Sequence, residues 1–144
     1  MQQIQEFTIA GRIPSKKNSR NVFVRGGKPV NIPSKKYNQW HQSAATQIRG
    51  HGRKIRLKSV EDVQMDFYFP DFRKCDLTNK AESVMDLLVD CKIIEDDNWM
   101  SVPRIILSSK GVDKENPRVK IWIRHNNKGV QCQHTKNSER TTSS

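Results

Sequence analysis

The sequence predicts one small α+β domain, a mixed α/β fold in which a single sheet packs against two helices. Three observations indicate this fold. Several short segments alternate apolar and polar residues, as half-buried strands do. Two longer segments carry apolar residues at helical spacing. A chain of 144 residues has room for one modest hydrophobic core.

Six strands are predicted along the chain. The first follows the alternation from Ile4 to Ile9, and the next two form a hairpin within VFVRGGKPV, with Gly26 and Gly27 in the turn. A half-buried strand over residues 63–69 is closed by Pro70. Two more strands lie in VPRIILSSKG and RVKIWIRH, and we predict that the intervening GVDKENP is their hairpin loop.

Two helices are predicted, each with one apolar face. Ser34 can cap the first, which extends to about Ile48. The second extends from about Asn79 to Val89. The predicted core residues of the two helices are Tyr37, Trp40, Ala44 and Ile48 in the first and Ala81, Val84, Met85 and Leu88 in the second.

The charge distribution indicates a polyanionic partner, nucleic acid before membrane. The formal net charge is +11. Residues 1–60 contain 13 Lys/Arg and one acid, whereas residues 61–100 contain 11 Asp/Glu and four Lys/Arg. A basic body with an acidic centre suits a protein that holds phosphates around a cation-binding pocket. A basic protein with one solvated acidic face fits the charges equally well.

The cysteines and histidines predict no structural metal site. Cys75, Cys91 and Cys132 are odd in number and lack C-x-x-C spacing, which argues against a disulfide framework or a zinc site. The four histidines form no recognisable ligand set. No apolar run approaches the roughly 20 residues of a membrane span, and the first residues do not resemble an export signal. We therefore expect a reducing cytoplasm.

The acidic centre contains candidate metal ligands at both ends of the second helix. Asp76 precedes the helix and the pair Asp96 and Asp97 follows it. Mg²⁺ usually takes only one or two protein carboxylates and completes its shell with waters and phosphate oxygens. Asp76 and Asp97 can share a site if the loop after the helix folds back along it. The alternatives are that Asp76 or Thr78 caps the helix and that the acidic pair belongs to a polar turn.

The second helix itself adds further candidates. Asn79, Glu82 and Asp86 share one face. This face could extend an acidic pocket. Equally, these side chains could be solvated or favoured by the helix dipole.

The segment CDLTNKAESVMDLLVDCKIIEDDNWM resembles the core motif of the RusA-type Holliday junction resolvases. That family carries D-x-D-N, a lysine three residues after the asparagine, D-A-L within a helix, and a final Asp-Asp pair. Asp76 matches the first aspartate, Asn79 the asparagine, Asp86 the D-A-L aspartate, and Asp96 with Asp97 the pair. FTIAGRIPSKKNSRNVF and VEDVQMDFYFPDFRKCD are similar to the family's preceding segments, so the resemblance extends from residue 7 to about residue 125.

The resemblance implies a RusA-like endonuclease domain over residues 1–125. From residue 126 onward the chain is polar and low in hydrophobic residues, so residues 126–144 are predicted to be a disordered tail. The resemblance also implies a homodimer that binds branched DNA and cuts four-way junctions symmetrically with Mg²⁺ or Mn²⁺, in recombination and repair. The implied setting is a bacterial cell, with a phage or prophage gene compatible with so small a chain. The family's acidic cluster falls on Asp76, Thr78 and Asp97.

Two positions depart from the family pattern. Thr78 stands at the second aspartate, and Glu82 stands at a lysine that the family needs for catalysis. We hypothesise that Glu82 replaces the missing carboxylate and that Lys80 supplies the missing positive charge. The alternative is a protein on the same fold that binds junctions and cuts them slowly or not at all. A basic RNA- or ribosome-associated protein is a third possibility, but an acidic cluster without a metal would weaken its phosphate binding.

Basic and aromatic side chains outside the acidic motif are predicted to serve DNA binding or packing. Single lysines are more often merely solvated, but loops of Lys, Asn and Ser suit phosphate contacts. Tyr37, Trp40 and Trp99 are interpreted as packing residues, and Phe23 or Phe72, if exposed, could enter a junction centre. The predicted DNA-contacting residues are Lys16, Lys17, Asn18, Arg20, Arg73 and Lys74.

Overall fold

The computed structural model describes residues 2–15, 20–51, 56–126 and 130–131. Within these ranges the chain forms eight strands and two helices. In chain order they are β1 Gln2–Ala10, β2 Arg20–Arg25, β3 Lys28–Pro33, α1 Lys35–Arg49, β4 Arg56–Leu57, β5 Asp62–Phe69, α2 Leu77–Asp90, β6 Ile105–Val112, β7 Arg118–Asn126 and β8 Val130–Gln131. The predicted α+β class is confirmed.

A four-stranded sheet in the order β1-β7-β5-β6 forms the centre of the fold. β7 pairs antiparallel with both β1 and β5, while β6 pairs parallel with β5. The parallel pair is joined through α2, because parallel strands require a crossover that returns the chain to the same end of the sheet. α2 therefore starts where β5 ends, and its following loop leads back to where β5 begins.

The predicted hairpin between the last two long strands is wrong. β6 and β7 are not neighbours, since β5 lies between them. The loop over residues 113–117 instead passes the end of β5, where the Asp113 amide donates to the Phe69 carbonyl at 2.8 Å. The two strands are close in sequence, which suggested a hairpin. Pairing both of them with β5 instead places β5 in the interior of the sheet, where Val63, Met65 and Phe67 are buried.

The core lies on one face of this sheet, beneath both helices. Val63, Met65 and Phe67 of β5 are almost completely buried there, together with the alternating apolar residues of β7. The predicted helix faces are confirmed, because all eight of their core residues are buried. Ser34 caps α1 as predicted, with its Oγ accepting from the Tyr37 amide at 3.1 Å.

The other strands form two small ladders. β2 and β3 form the predicted hairpin, and Gly26 and Gly27 have positive φ angles of 61° and 80°, which a tight hairpin turn requires. β8 pairs with β4 and Asn126 ends β7, so three residues of the predicted tail take part in strands. The remainder of the tail beyond Gln131 lies outside the described residues. No helix in the described ranges is long and apolar enough to cross a membrane.

Candidate functional site

A cleft of about 370 Å³ opens at the start of α2, where the chain leaves β5 and turns into the helix. It combines one carboxylate with two ammonium groups, a thiol and small polar groups. Such a mixture of opposite charges can hold a phosphate and a cation together. The residues that line the cleft are Ser15, Lys74, Cys75, Asp76, Asn79 and Lys80.

Asp76 occupies the N-cap position of α2, but its side chain does not cap the helix. Its backbone is extended, with φ −89° and ψ 128°, and its carboxylate makes no capping hydrogen bond. The Oδ2 atom instead accepts a hydrogen bond from Asn79 Nδ2 at 3.3 Å. The capping alternative therefore does not describe this aspartate, which presents an exposed carboxylate to the cleft.

Lys80 is held firmly in the wall of the same cleft. Its Nζ atom donates to the Ile13 carbonyl at 2.6 Å. Burial lowers the pKa of the Lys80 ammonium, and the neighbouring Arg12 and Lys36 lower it further, while Cys75 opposes the shift. The structure thus brings Lys80 and Asp76 together, as the hypothesis of a replacement positive charge requires.

A pair of arginines neutralises Asp71 beside the cleft. The Asp71 carboxylate accepts hydrogen bonds from Arg12 and from Arg73, the latter through Nη2 at 3.1 Å. Chiefly through Arg12, the pKa of Asp71 falls to about 2 from its ordinary 3.8. Arg73 is therefore oriented by Asp71, whereas Lys74 lines the cleft itself. Sequence reasoning missed Arg12 and Asp71, because no motif marks residues that meet only through folding.

The acidic pair lies in the loop after α2, away from this cleft. That loop is bonded to the segment before β5: the Leu57 amide donates to the Ile93 carbonyl and the Glu95 amide to the Leu57 carbonyl, both at 2.9 Å. Asp96 organises the turn by accepting from the Asp97 amide at 2.7 Å and from Asn98 Nδ2 at 2.9 Å. Asp97 is exposed at the surface of the turn.

The predicted acidic set does not assemble within one protomer. Thr78 and Glu82 are exposed on α2. Within the described ranges, the ligand atoms of Asp76, Glu82 and Asp97 do not form a group within 4.8 Å of one another. The loop after α2 does not fold back along the helix, because its hydrogen bonds to Leu57 hold it at the end of α2 opposite Asp76. The metal-binding and catalytic roles of these residues remain predictions.

A different group of metal-ligand side chains joins the two helices. Ligand atoms of His41, Asp86 and Asp90 all lie within 4.8 Å of one another. His41 Nε2 is 2.8 Å from Asp90 Oδ2, and Tyr37 donates to Asp86 Oδ2 at 2.7 Å. The expectation that the histidines form no ligand set is therefore corrected for His41, because packing of α1 on α2 joins residues far apart in sequence. Asp86 faces this contact rather than the cleft.

Several predicted contact residues lie outside the described part of the chain. Lys16, Lys17 and Asn18 fall outside it, as do the side chains of Arg20 and Phe23, although the backbone of Arg20 begins β2. Their predicted DNA contacts stay untested.

Two large aromatic side chains are exposed near the acidic motif. Phe72 is 83% exposed, and Trp99 is 77% exposed. The interpretation of Trp99 as a packing residue is therefore wrong for a single protomer, because the turn after Asp97 points it into solvent.

Comparison with known protein families gives a match over most of the chain. The family model described as Endodeoxyribonuclease RusA matches residues 13–124. The match includes the cleft, both helices, the acidic loop and most of the central sheet. A comparison with individual curated proteins gives no match. Because the family model covers most of the 144 residues, the chain belongs to the RusA endodeoxyribonuclease family.

Proposed function

We propose that this protein is a Mg²⁺-dependent endonuclease that cuts four-way DNA junctions during recombination and repair. It acts as a homodimer in the bacterial cytoplasm, and Mn²⁺ can replace Mg²⁺. Family membership supplies the nuclease class and the junction substrate. The observation that carries the proposal is the cleft at the start of α2, where Asp76 faces Lys74 and Lys80.

In this proposal, basic residues at the cleft bind the DNA phosphate and the carboxylate binds the cation. Lys74 and Arg73 attract the phosphodiester, because contacts from basic side chains to phosphate supply affinity independent of sequence. The Lys80 ammonium, fixed by the Ile13 carbonyl, lies where it can offset phosphate charge. A divalent cation bound at carboxylates would supply an activated water and neutralise the leaving oxygen. One protomer offers a single cleft carboxylate, Asp76, so the predicted acidic set is incomplete there.

DNA binding extends beyond the cleft in this proposal. Lys16, Lys17, Asn18 and Arg20 precede or begin the β2–β3 hairpin and contact phosphates outside the scissile position. The +11 net charge supports a polyanionic substrate. Binding should therefore weaken steeply as salt rises.

A second candidate function follows from Thr78. Threonine stands where the family pattern has an aspartate, and a hydroxyl is a weaker cation ligand than a carboxylate. The protein could then bind branched DNA without cutting it. Glu82 distinguishes the two candidates, because it is exposed on the same helix and can return the missing carboxylate.

The test is cleavage of a synthetic four-way junction and of a linear duplex, each in Mg²⁺ and in EDTA. We expect paired nicks only in the junction and only with the cation. Asp76→Asn should reduce cleavage at least about 100-fold while junction binding is kept, since metal-site electrostatics contribute several kcal/mol. Glu115→Gln makes the same charge change in an exposed loop and should cut normally.

The outcomes separate the two candidates. Tight junction binding without nicks under every metal condition would support the binding protein. Equal affinity for junction and duplex, with no nicks, would contradict both.

A further inference from the structure

Phe72 is the most exposed large apolar side chain in the described part of the chain, at 83% exposed. It lies in the segment that joins β5 to α2, four residues before Asp76. Four residues of extended chain span at most about 14 Å, which corresponds to about four steps along a DNA strand at roughly 3.4 Å each. The Phe72 ring can therefore contact a nucleotide close to the one whose phosphate enters the cleft.

The turn that carries Phe72 is held in place by the Asp71 carboxylate. Asp71 Oδ1 accepts from the Arg73 amide at 3.0 Å, which closes a tight turn with Phe72 at its centre. The same carboxylate accepts from the Arg12 guanidinium, and this hydrogen bond ties the turn to the segment after β1. An anchored turn thus presents the Phe72 ring to solvent.

The hydrophobic core does not take up this ring, although it takes up the nearby aromatic rings of β5. Phe67 is buried and Phe69 packs against the core, with the two ring centroids 6.0 Å apart. Burial of a phenylalanine ring ordinarily stabilises a fold, and this gain is absent at Phe72. It remains available to a ligand that covers the ring.

The surroundings of the Phe72 ring are cationic. Arg73 and Lys74 follow it directly and are exposed. Asp71 is paired with Arg12 and Arg73, so three cations accompany one acid around the turn. Aromatic side chains among basic ones suit unstacked nucleic acid, because the cations contact phosphates while the ring stacks on a base. The core of a protein interface is instead depleted of charged side chains. Nucleic acid is therefore the better ligand for this turn.

We propose that the Phe72 ring inserts between bases at the branch point of the DNA while a nearby phosphate enters the cleft. This role rests on the junction substrate proposed above. Proteins that kink DNA insert apolar wedges, phenylalanine among them, between base steps. Removing a base from its stack costs least where pairing or stacking is already disturbed, and the branch point of a four-way junction is such a place. Phe72 therefore favours a junction over a continuous duplex.

Fluorescence of 2-aminopurine tests the insertion without any cleavage. The analogue replaces one adenine beside the branch point of a synthetic four-way junction, or one adenine within an arm, and the protein is added in EDTA. Neighbouring bases quench this fluorophore, so opening of its base step raises the emission. We expect the wild type to raise the emission at the branch point but not in the arm, and Phe72→Ala to abolish the rise.

The binding affinities should change in parallel. Loss of one contact between a base and an aromatic ring should weaken junction binding in EDTA about 5–100-fold. The affinity for a linear duplex should stay the same, because it depends on phosphate contacts. Met100→Ala is the matched control, since Met100 is 66% exposed in the loop after α2, and it should preserve both the emission rise and the junction affinity.

Three results would overturn the proposal. The first is emission that does not depend on Phe72, whether the rise is missing in the wild type or is kept by Phe72→Ala. The second is an equal loss in Met100→Ala. The third is a changed oligomeric state of Phe72→Ala in sedimentation, which would assign Phe72 to a protein interface.

The insertion and the nuclease function can fail separately, because the fluorescence is measured without a cation. A rise that depends on Phe72, in a protein that never nicks junctions with Mg²⁺, would support the insertion and contradict the proposed nuclease function. Normal junction cleavage by a protein that gives no branch-point rise would do the reverse.

Discussion

Ser83 is expected to hold the cleft end of α2 in place. The side chain is completely buried, and its Oγ donates to the Pro14 carbonyl at 2.6 Å. Lys80, one turn earlier, bonds the neighbouring Ile13 carbonyl. Two hydrogen bonds thus attach the segment after β1 to α2, whose N-cap is Asp76. Ser83→Ala removes one donor and leaves a buried carbonyl without it.

The expected cost can be worked out from these contacts. An unsatisfied buried acceptor costs about 1–3 kcal/mol, and alanine returns about 0.5 kcal/mol through its better helix propensity. A net loss of about 1.5 kcal/mol in the free energy of unfolding should lower Tm by about 3–6 °C, because chains near 150 residues lose about 2–4 °C per kcal/mol.

The assay is urea unfolding followed by circular dichroism, with Ser43→Ala as the matched control. Ser43 is exposed on α1, and its Oγ has only a 3.5 Å contact from Gln47. This change should alter stability by less than about 0.5 kcal/mol. If Ser83→Ala destabilises no more than Ser43→Ala, the hydrogen bond to Pro14 does not anchor the helix.

Three further outcomes are expected. Glu82→Gln should reduce Mg²⁺-dependent junction cleavage about 10–100-fold if Glu82 supports the metal site, and undiminished cleavage would refute its compensating role. Because the pKa of Asp71 is lowered to about 2, its ionised form adds stability above pH 3.8 that disappears as the pH falls towards 2. Urea midpoints should therefore drop less over this range for Asp71→Asn than for the wild type, and equal drops would contradict this. If the exposed Trp99 side chain packs in the interface of the proposed homodimer, Trp99→Ala should raise the dimer dissociation constant about 30-fold, as loss of a central interface aromatic does. Sedimentation measures it, with Gln39→Ala as control, and unchanged dimerisation would exclude Trp99 from the interface.

Local patterns were sufficient to predict most of the secondary structure. Alternation predicted β1 and β7, helical spacing predicted the buried faces of α1 and α2, and the Gly26-Gly27 pair predicted the hairpin turn. These features depend on residues a few positions apart, so they can be read along the chain. The family motif around Asp76 was also readable, because its residues are close in sequence.

Contacts between distant segments could not be predicted in the same way. The hairpin expected between β6 and β7 failed because β5 enters between them. The meeting of His41 with Asp86 and Asp90 depends on how the two helices pack. The bond from Lys80 to Ile13 spans 67 positions, and no pattern within either segment indicates it.

The sequence by itself determined the fold class, the helices, the basic character and the acidic motif that places the chain among endodeoxyribonucleases. Its short-range periodicity and spacing carry that information. Only the tertiary structure decided which acids can act together. The parallel crossover from β5 through α2 to β6 sends the chain to the far end of the sheet, so Asp76 and Asp97 are separated by the length of a helix.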